Sequence, residues 1–436
     1  MPEIIAVVGG GISGLSAAYF ALRKGFTVEL FESTGQLGGL ASSFDWGGLT
    51  FEKYYHFICG EDHELIELAN KLGIAEQMRF RPTKTAIFYN GRYFPFSSSL
   101  NLLKFSPLSL LSRLRFGLNI INSKYSREWE RLDRISAKEW LIQKIGKKAY
   151  AVIWHPLLKI KFGSFYDQIS AAWVWHRIHR VASSRRSLFS KEKMGYFIGG
   201  TQTLINALEK NIKELGGRIR LNSEIVKIEQ NKTSFNLLSD SQQFRNYDKI
   251  ILAIPLPLAA KSVQGLDSVY SQKLSAIKFI GVVCGVFRLK KEVTDAFWLN
   301  INDPQIAVNG FIEYTNLNSL GGATSDKILY VPFYLPLDDR WFSLDDQSLK
   351  TELFKMIQVV NPTIRKDDLI GFNAFRSAYA QAICTTGFKD KRPLFKTPIE
   401  NLYLLDATQL YPSDRVLSAL IGQADKLIAE SVVLNR

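Results

Sequence analysis

The stretch VVGGGISGLSAAYFALRKGFTVELFE, from Val7 to Glu32, constrains the fold more than any other part of the chain. Residues 4–8 form a continuous, mostly β-branched apolar run, the kind of strand buried on both faces of a parallel sheet. Gly9, Gly11 and Gly14 follow in the spacing GxGxxG. Residues 13–24 place apolar side chains at helical spacing, Gly25 ends that helix, and 26–32 read as a second strand closing on Glu32. Strand, glycine turn, helix and strand make one βαβ unit. Gly9 permits a tight turn, Gly11 lets a pyrophosphate approach the backbone, and Gly14 lets helix and strand pack closely. The helix start, with Ile12 and Ser13, offers N–H groups to an anion. Glu32 can accept from a ribose 2′-hydroxyl and would repel a 2′-phosphate, so the pattern predicts the adenosine half of NAD or FAD.

A second glycine pair, Gly38-Gly39, comes just past the acid, followed by Leu40 and Ala41. It lets the chain run back along the ribityl and pyrophosphate part of an extended FAD, which an ordinary NAD site does not require. With these residues in place, the chain resembles the FAD-dependent amine oxidase superfamily, the group of monoamine oxidase, protoporphyrinogen oxidase, phytoene desaturase and UDP-galactopyranose mutase. Three later stretches extend the resemblance: GGRIRLNSEIVKIEQ (216–230), which reads as a strand pair, DKIILAIPLP (248–257) and NLYLLDATQLYPSDRVLSALIGQADKLI (401–428). The resemblance implies that the backbone at Val226 meets adenine, that Ser33 and Ala253 belong to the cofactor site, and that Asp406 lies near the ribityl or pyrophosphate. It also implies that the amides of Arg415 and Val416, at a helix start capped by Ser413 or Asp414, face the flavin. Leu40 stands where many relatives carry Arg, and Leu405-Asp406 where many carry Gly-Glu. No cysteine sits in a setting that suggests a covalent flavin, so the FAD is expected to be noncovalent.

The implied fold is α/β: a Rossmann-like FAD-binding domain interleaved with a substrate domain of mixed sheet and helices. Segments 1–82, 195–265 and 385–436 would build the first, and 83–194 and 266–384 the second. Asn90-Gly91 between two alternating apolar runs predicts a tight hairpin in the second body. Substrate is expected between the two bodies, where pockets favour domain interfaces.

The net charge is +14 and unevenly spread, with 17 Lys and Arg against 5 Asp and Glu over residues 100–190. Aromatic and aliphatic residues interleave with these charges in KKAYAVIWHPLLKIKF and WVWHRIHR. The block suits a solvated helical face, or a surface for anionic headgroups or a phosphorylated substrate. Without a nucleic-acid-binding motif it argues for no nucleic-acid partner. Cys59, Cys284 and Cys384 lie far apart, with no CxxC and no zinc spacing. No apolar run reaches the length of a spanning helix, and a strand begins by Ile4. The expectation is a cytoplasmic protein, peripheral at an anionic inner membrane face, of unspecified oligomeric state.

In such a protein the flavin carries the redox step and the chain positions the substrate. His56, in EKYYHF with Glu52, Tyr54 and Tyr55 nearby, is the first catalytic candidate, as a base suited to neutral pH. Arg376, in FRSAYAQAI, is the second, as the holder of a carboxylate or phosphate. His155 is a candidate cavity residue, and His176 and His179 share a helix face without carboxylates to complete a metal site. The functional expectation is hydride transfer from a C–N or C–C bond of an amphiphilic or anionic substrate to flavin N5. A redox-neutral flavoenzyme like UDP-galactopyranose mutase remains the alternative. A non-catalytic lipid binder like the Rab GDP-dissociation inhibitors is a minor one.

Overall fold

The computed structural model describes residues 2–183, 193–232, 234–240 and 242–433. Two sheets organise the chain. The first has five strands in the order Arg218–Arg220, Thr27–Phe31, Ile4–Val8, Lys249–Leu252, Leu402–Leu404, and all are parallel. Ile4–Val8 is central and buried over nearly its whole length, as its unbroken apolar sequence requires. The helix Ile12–Arg23 crosses from it to Thr27–Phe31 and buries ten of its twelve residues. It is apolar all round because the helices Gln202–Glu214 and Leu417–Leu427 also pack against it. The stretch 216–230 departs from the expected strand pair: Arg218–Arg220 joins the five-stranded sheet, whereas Ile225–Gln230 heads a separate antiparallel three-stranded sheet.

The second sheet has seven strands, in the order Leu369–Ala382, Phe279–Leu289, Lys327–Leu335, Gly310–Glu313, Trp298–Ile301, Thr85–Tyr89, Arg92–Pro95. It is antiparallel except where Trp298–Ile301 pairs with Thr85–Tyr89. The Asn90-Gly91 hairpin forms as the sequence predicts, with Tyr89 opposite Arg92 and positive φ at both turn residues. One face of this sheet packs on the helix Asp346–Val360, and the other carries an aromatic layer around Phe51, Tyr314 and Tyr330. The basic block is helical, with Leu110–Tyr125, Ala137–Ile145, His155–Phe162 and Ala171–Ser183 as its main helices. Among the described residues, no helix is long and apolar enough to cross a membrane.

Candidate functional site

The glycine turn has the geometry its sequence foretells. Gly9 has φ +107°, and a Cβ there would lie 2.4 Å from the Ala253 carbonyl oxygen. A Cβ on Gly14 would lie 1.9 Å from the Gly9 carbonyl oxygen, so the helix rests directly on the strand. Gly11 is different: its φ is ordinary at −71°, and an added Cβ meets nothing within 4 Å. The space before it is rimmed by Gly39, whose added Cβ would come 3.3 Å from Gly11 Cα. Gly38, at φ +107°, donates its N–H to the Gly10 carbonyl at 2.8 Å and bridges to Gly11, bringing the second glycine pair back to the first. No side chain caps the helix that starts at Gly11, so its first-turn N–H groups face that open space.

Glu32 is buried beside this turn. One carboxylate oxygen accepts the Gly10 N–H at 2.8 Å, and the other accepts from the Thr34 N–H, the Thr34 hydroxyl and, at 3.3 Å, the Ser33 hydroxyl. Ala253 donates to the Val8 carbonyl at 2.8 Å at the mouth of the sheet. Ala41 is buried and its carbonyl accepts the Thr201 hydroxyl, while Leu40 is half-buried beside it. Val226 is exposed where the pairing of Ile225–Gln230 shifts register. Asp406 is buried after the last strand, accepts the Thr408 N–H at 2.8 Å, and has its pKa raised by burial.

The closing helix departs from expectation at its start. Its N-cap is Val416, with no side-chain cap, and not Ser413 or Asp414. Asp414 instead bonds the two amides expected to face a ligand: its side chain accepts the Arg415 N–H at 3.1 Å and its carbonyl accepts the Val416 N–H at 2.9 Å. The amides left for an anion are therefore those of the first turn, from Leu417 onward.

Beside this helix start lies a chamber with a volume of about 120 Å³. Tyr55, Trp154, Trp173, Trp298 and Tyr334 form its aromatic wall, and Lys161 and Arg177 also line it. Lys161 is only 7% exposed, with Nζ 4.2 Å from the Tyr334 ring centroid and 5.1 Å from that of Trp173. The Arg177 guanidinium carbon lies 4.4 Å from the Trp173 ring centroid, and Arg177 pairs with Asp414 at 2.7 Å. Arg415 donates to the Tyr334 hydroxyl at 3.1 Å, which ties the chamber wall to the residue before the closing helix. Burial pushes the Asp414 pKa up, but Arg177, Lys161, Arg415 and Arg180 outweigh it and hold the carboxyl below the usual range. Burial drives the Lys161 pKa well below its ordinary value, with Arg177 adding to the effect.

The two catalytic candidates do not enter this chamber wall. His56 lies between Tyr55 and Phe57, and its Nδ1 is closed to solvent. Burial, reinforced by Arg415, lowers its pKa to about 4, so it is neutral and a weak base at neutral pH, contrary to the expected base. Arg376 is held by Asp346 at 2.7 Å and by the Leu344 carbonyl at 2.7 Å. Its strand neighbours show why: Phe375 faces the aromatic layer, so Arg376 faces the helix Asp346–Val360 and is a structural ion pair. His155 meets Tyr166 edge-on and Tyr150 at a tilt, and it is Trp154 rather than His155 that lines the chamber. Glu52 is buried and accepts the Thr201 N–H at 3.1 Å. Among the described residues, no cluster of His, Cys, Asp and Glu could hold a metal, His176 and His179 included.

Sequence reading missed Lys161 and Arg177, and took Asp414 only as a helix cap. A signal existed for the first: Lys161 falls three residues after Leu158 and one before Phe162, on the buried side of a short helix. A lysine in register with a core stripe needs a reason to be there.

The glycine cradle, the buried acid at the end of the second strand and two uncapped helix starts fit an extended dinucleotide diphosphate and a ring at its far end. Residues 12–409 match the family described as flavin containing amine oxidoreductase. The mitochondrial protoporphyrinogen oxidase of Nicotiana tabacum is 26% identical over 296 residues, and that match spans 58% of this chain and 58% of the relative's length. An oxidoreductase from Methanosarcina mazei shares the fold at a TM-score of 0.76 and 16% identity, over 98% of this chain and 100% of that one. Reduced UDP-galactopyranose mutase does so at 0.78 and 14%, over 100% and 94%. With its cradle intact and its match running nearly from end to end, the chain is an FAD-binding enzyme that belongs to the flavin containing amine oxidoreductase family.

Proposed function

We propose that this oxidoreductase takes hydride from a C–N or C–C bond of an amphiphilic or anionic substrate bound in the aromatic chamber. The observation that carries the reading is the chamber itself: five aromatic side chains and a buried lysine, joined through Tyr334 and Arg415 to the start of the closing helix. The FAD, held without a covalent bond, supplies the hydride acceptor. The chain's own work is positioning. Gly11 and the first-turn amides of Ile12–Arg23 would hold the diphosphate, Glu32 would hold the ribose, and the first-turn amides of Leu417–Leu427 would favour negative charge on the ring. Tyr55, Trp154 and Trp298 exclude water from the reacting bond and bind the apolar part of the substrate. With His56 neutral, the substrate's proton leaves to solvent or to the substrate's own base rather than to that side chain.

Anaerobic mixing with a panel of amines, sugar nucleotides and polyprenyl lipids tests this. A substrate that bleaches the visible flavin band without added reductant supports the reading. Turnover of a sugar nucleotide only after prior chemical reduction, with no bleaching by any panel member, replaces it with redox-neutral mutase chemistry.

A further inference from the structure

We propose that the chamber seats a doubly charged phosphate group of the substrate between Lys161 and Arg177, with the substrate's apolar body along Tyr55, Trp154 and Trp298. This rests on the chamber being the substrate site and narrows the ligand class. Among the described residues, no carboxylate lies within ion-pair distance of Lys161, although it is more than nine-tenths buried and lines the cavity. Arg177 shares the Trp173 ring with it and keeps an unpartnered, solvent-closed Nε, and the Trp154 indole N–H is likewise unpartnered. Arg415 beside them also has a bare, closed Nε. Three cations, Lys161, Arg177 and Arg415, thus surround one anion, Asp414, whereas Arg180 has its own partner in Asp62. With Lys161 protonated the imbalance is two positive charges, and in a buried cavity such an excess favours an external anion. A phosphate monoester or diphosphate restores neutrality and a single carboxylate does not. The lysine's tendency to lose its proton when the chamber is empty has the same cause, and a bound dianion reverses it.

The test uses tryptophan fluorescence of the FAD-loaded enzyme, since Trp154, Trp173 and Trp298 all line the chamber. Phenyl phosphate and inorganic pyrophosphate are titrated against benzoate as the monoanionic control, while the flavin band is recorded. The expected result is at least about tenfold tighter binding of phenyl phosphate than of benzoate, and loss of that preference in Lys161→Met with flavin content unchanged. Equal affinity for the two ligands, or an unaltered preference in Lys161→Met, overturns the phosphate seat. A fluorescence response that leaves the flavin band untouched keeps the anion site but removes it from the substrate path, so the two readings fail separately.

A second observation is independent of the flavin. On the helix Leu110–Tyr125, Leu110, Leu111, Leu114, Leu118, Ile121 and Tyr125 are all exposed, from 37% to 74%. At about 100° per residue these six fall within one arc of about 100°. The buried residues Phe116, Asn119 and Ser123 lie on the opposite side. This surface helix therefore turns its apolar stripe outward. Leu100 and Leu103 on the preceding helix Ser99–Lys104, which packs against it, are exposed too. Arg115 flanks the stripe on one edge, and Arg113 and Lys124 on the other. No Asp or Glu occurs between Glu76 and Glu128.

The geometry points to a bilayer bearing anionic headgroups as the partner of this face: leucines enter the acyl boundary and the flanking cations meet the headgroups. A second copy of the chain would set one acid-free basic patch against another. Co-sedimentation of the FAD-loaded enzyme with vesicles of phosphatidylcholine, alone or with phosphatidylglycerol at seven to three, decides this. Wild type should pellet with the mixed vesicles, and the doubly substituted Leu114→Asp, Leu118→Asp chain should bind them at least about tenfold more weakly with flavin content and unfolding midpoint unchanged. Equal sedimentation of the two proteins overturns the assignment. So does a wild-type dimer in light scattering that the same substitutions dissolve.

Discussion

Replacing Gly11 by alanine separates what the glycine does for the fold from what it does for the cofactor. Its φ of −71° and ψ of 178° suit any residue, and the new methyl meets no atom within 4 Å. Without FAD the variant should be as stable as wild type, or more stable by about 0.4–1 kcal/mol, because alanine restricts the unfolded chain. If the empty space that makes the change harmless is the one proposed for the diphosphate, the bound form should suffer. At free FAD about a hundredfold above its dissociation constant, binding stabilises wild type by about 2.7 kcal/mol. A variant that no longer binds forgoes all of it and ends about 2 kcal/mol behind. The two proteins thus exchange order when FAD is added to a urea unfolding series followed by circular dichroism. Gly14→Ala is the control: its methyl would lie 1.9 Å from a backbone oxygen, so helix and strand must part, at about 1–3 kcal/mol or more with or without FAD. Purification of Gly11→Ala with wild-type flavin content and a wild-type FAD-dependent shift would refute the placement of the diphosphate. Loss of stability in the FAD-free variant would refute the steric argument.

Three other outcomes follow. Arg376→Ala should leave kcat/KM within about twofold and cost at most about 1–2 kcal/mol in a urea midpoint, since Asp346 is mostly exposed and only the Leu344 carbonyl bond is shielded; a large fall in kcat/KM would return Arg376 to the substrate site. Burial lowers both His56 and His176 from 6.5 to about 4, so the unfolded chain takes up protons first: stability holds above about pH 6.5 and falls as pH drops toward about 4, by on the order of 3 kcal/mol per histidine. His56→Gln should flatten that acid slope, and an unchanged slope counts against the buried, neutral ring. Asp414→Asn removes the one anion among Lys161, Arg177 and Arg415 and should cost about 3–5 kcal/mol, partly restored by added pyrophosphate; a stable variant indifferent to that anion would contradict the charge count.

The nucleotide end of the molecule was legible because its signals are local. Gly9, Gly11, Gly14 and Glu32 lie within 24 residues, in a spacing that a short window of sequence displays without knowledge of tertiary partners. The Asn90-Gly91 hairpin was readable for the same reason. The chamber was not, because Tyr55, Trp154, Arg177, Trp298 and Tyr334 meet only through tertiary packing. Arg376 shows the converse error: its residue type fits anion binding, but the pleat of its strand turns it to the other face, which no local pattern in FRSAYAQAI reveals. At the closing helix, one loop residue, Asp414, moved the anion-facing end by bonding the amides of the two residues after it, Arg415 and Val416.

The edge strand Leu402–Leu404 and the helix after it come from the final tenth of the chain, yet they finish the sheet that begins at Ile4. A growing polypeptide therefore carries its glycine cradle for most of its synthesis without the strand and helix that complete this sheet. Pigmentation becomes a marker of translation through residue 427: chains cut short before residue 402 should emerge pale and protease-sensitive, however much of their amino-terminal half has already folded.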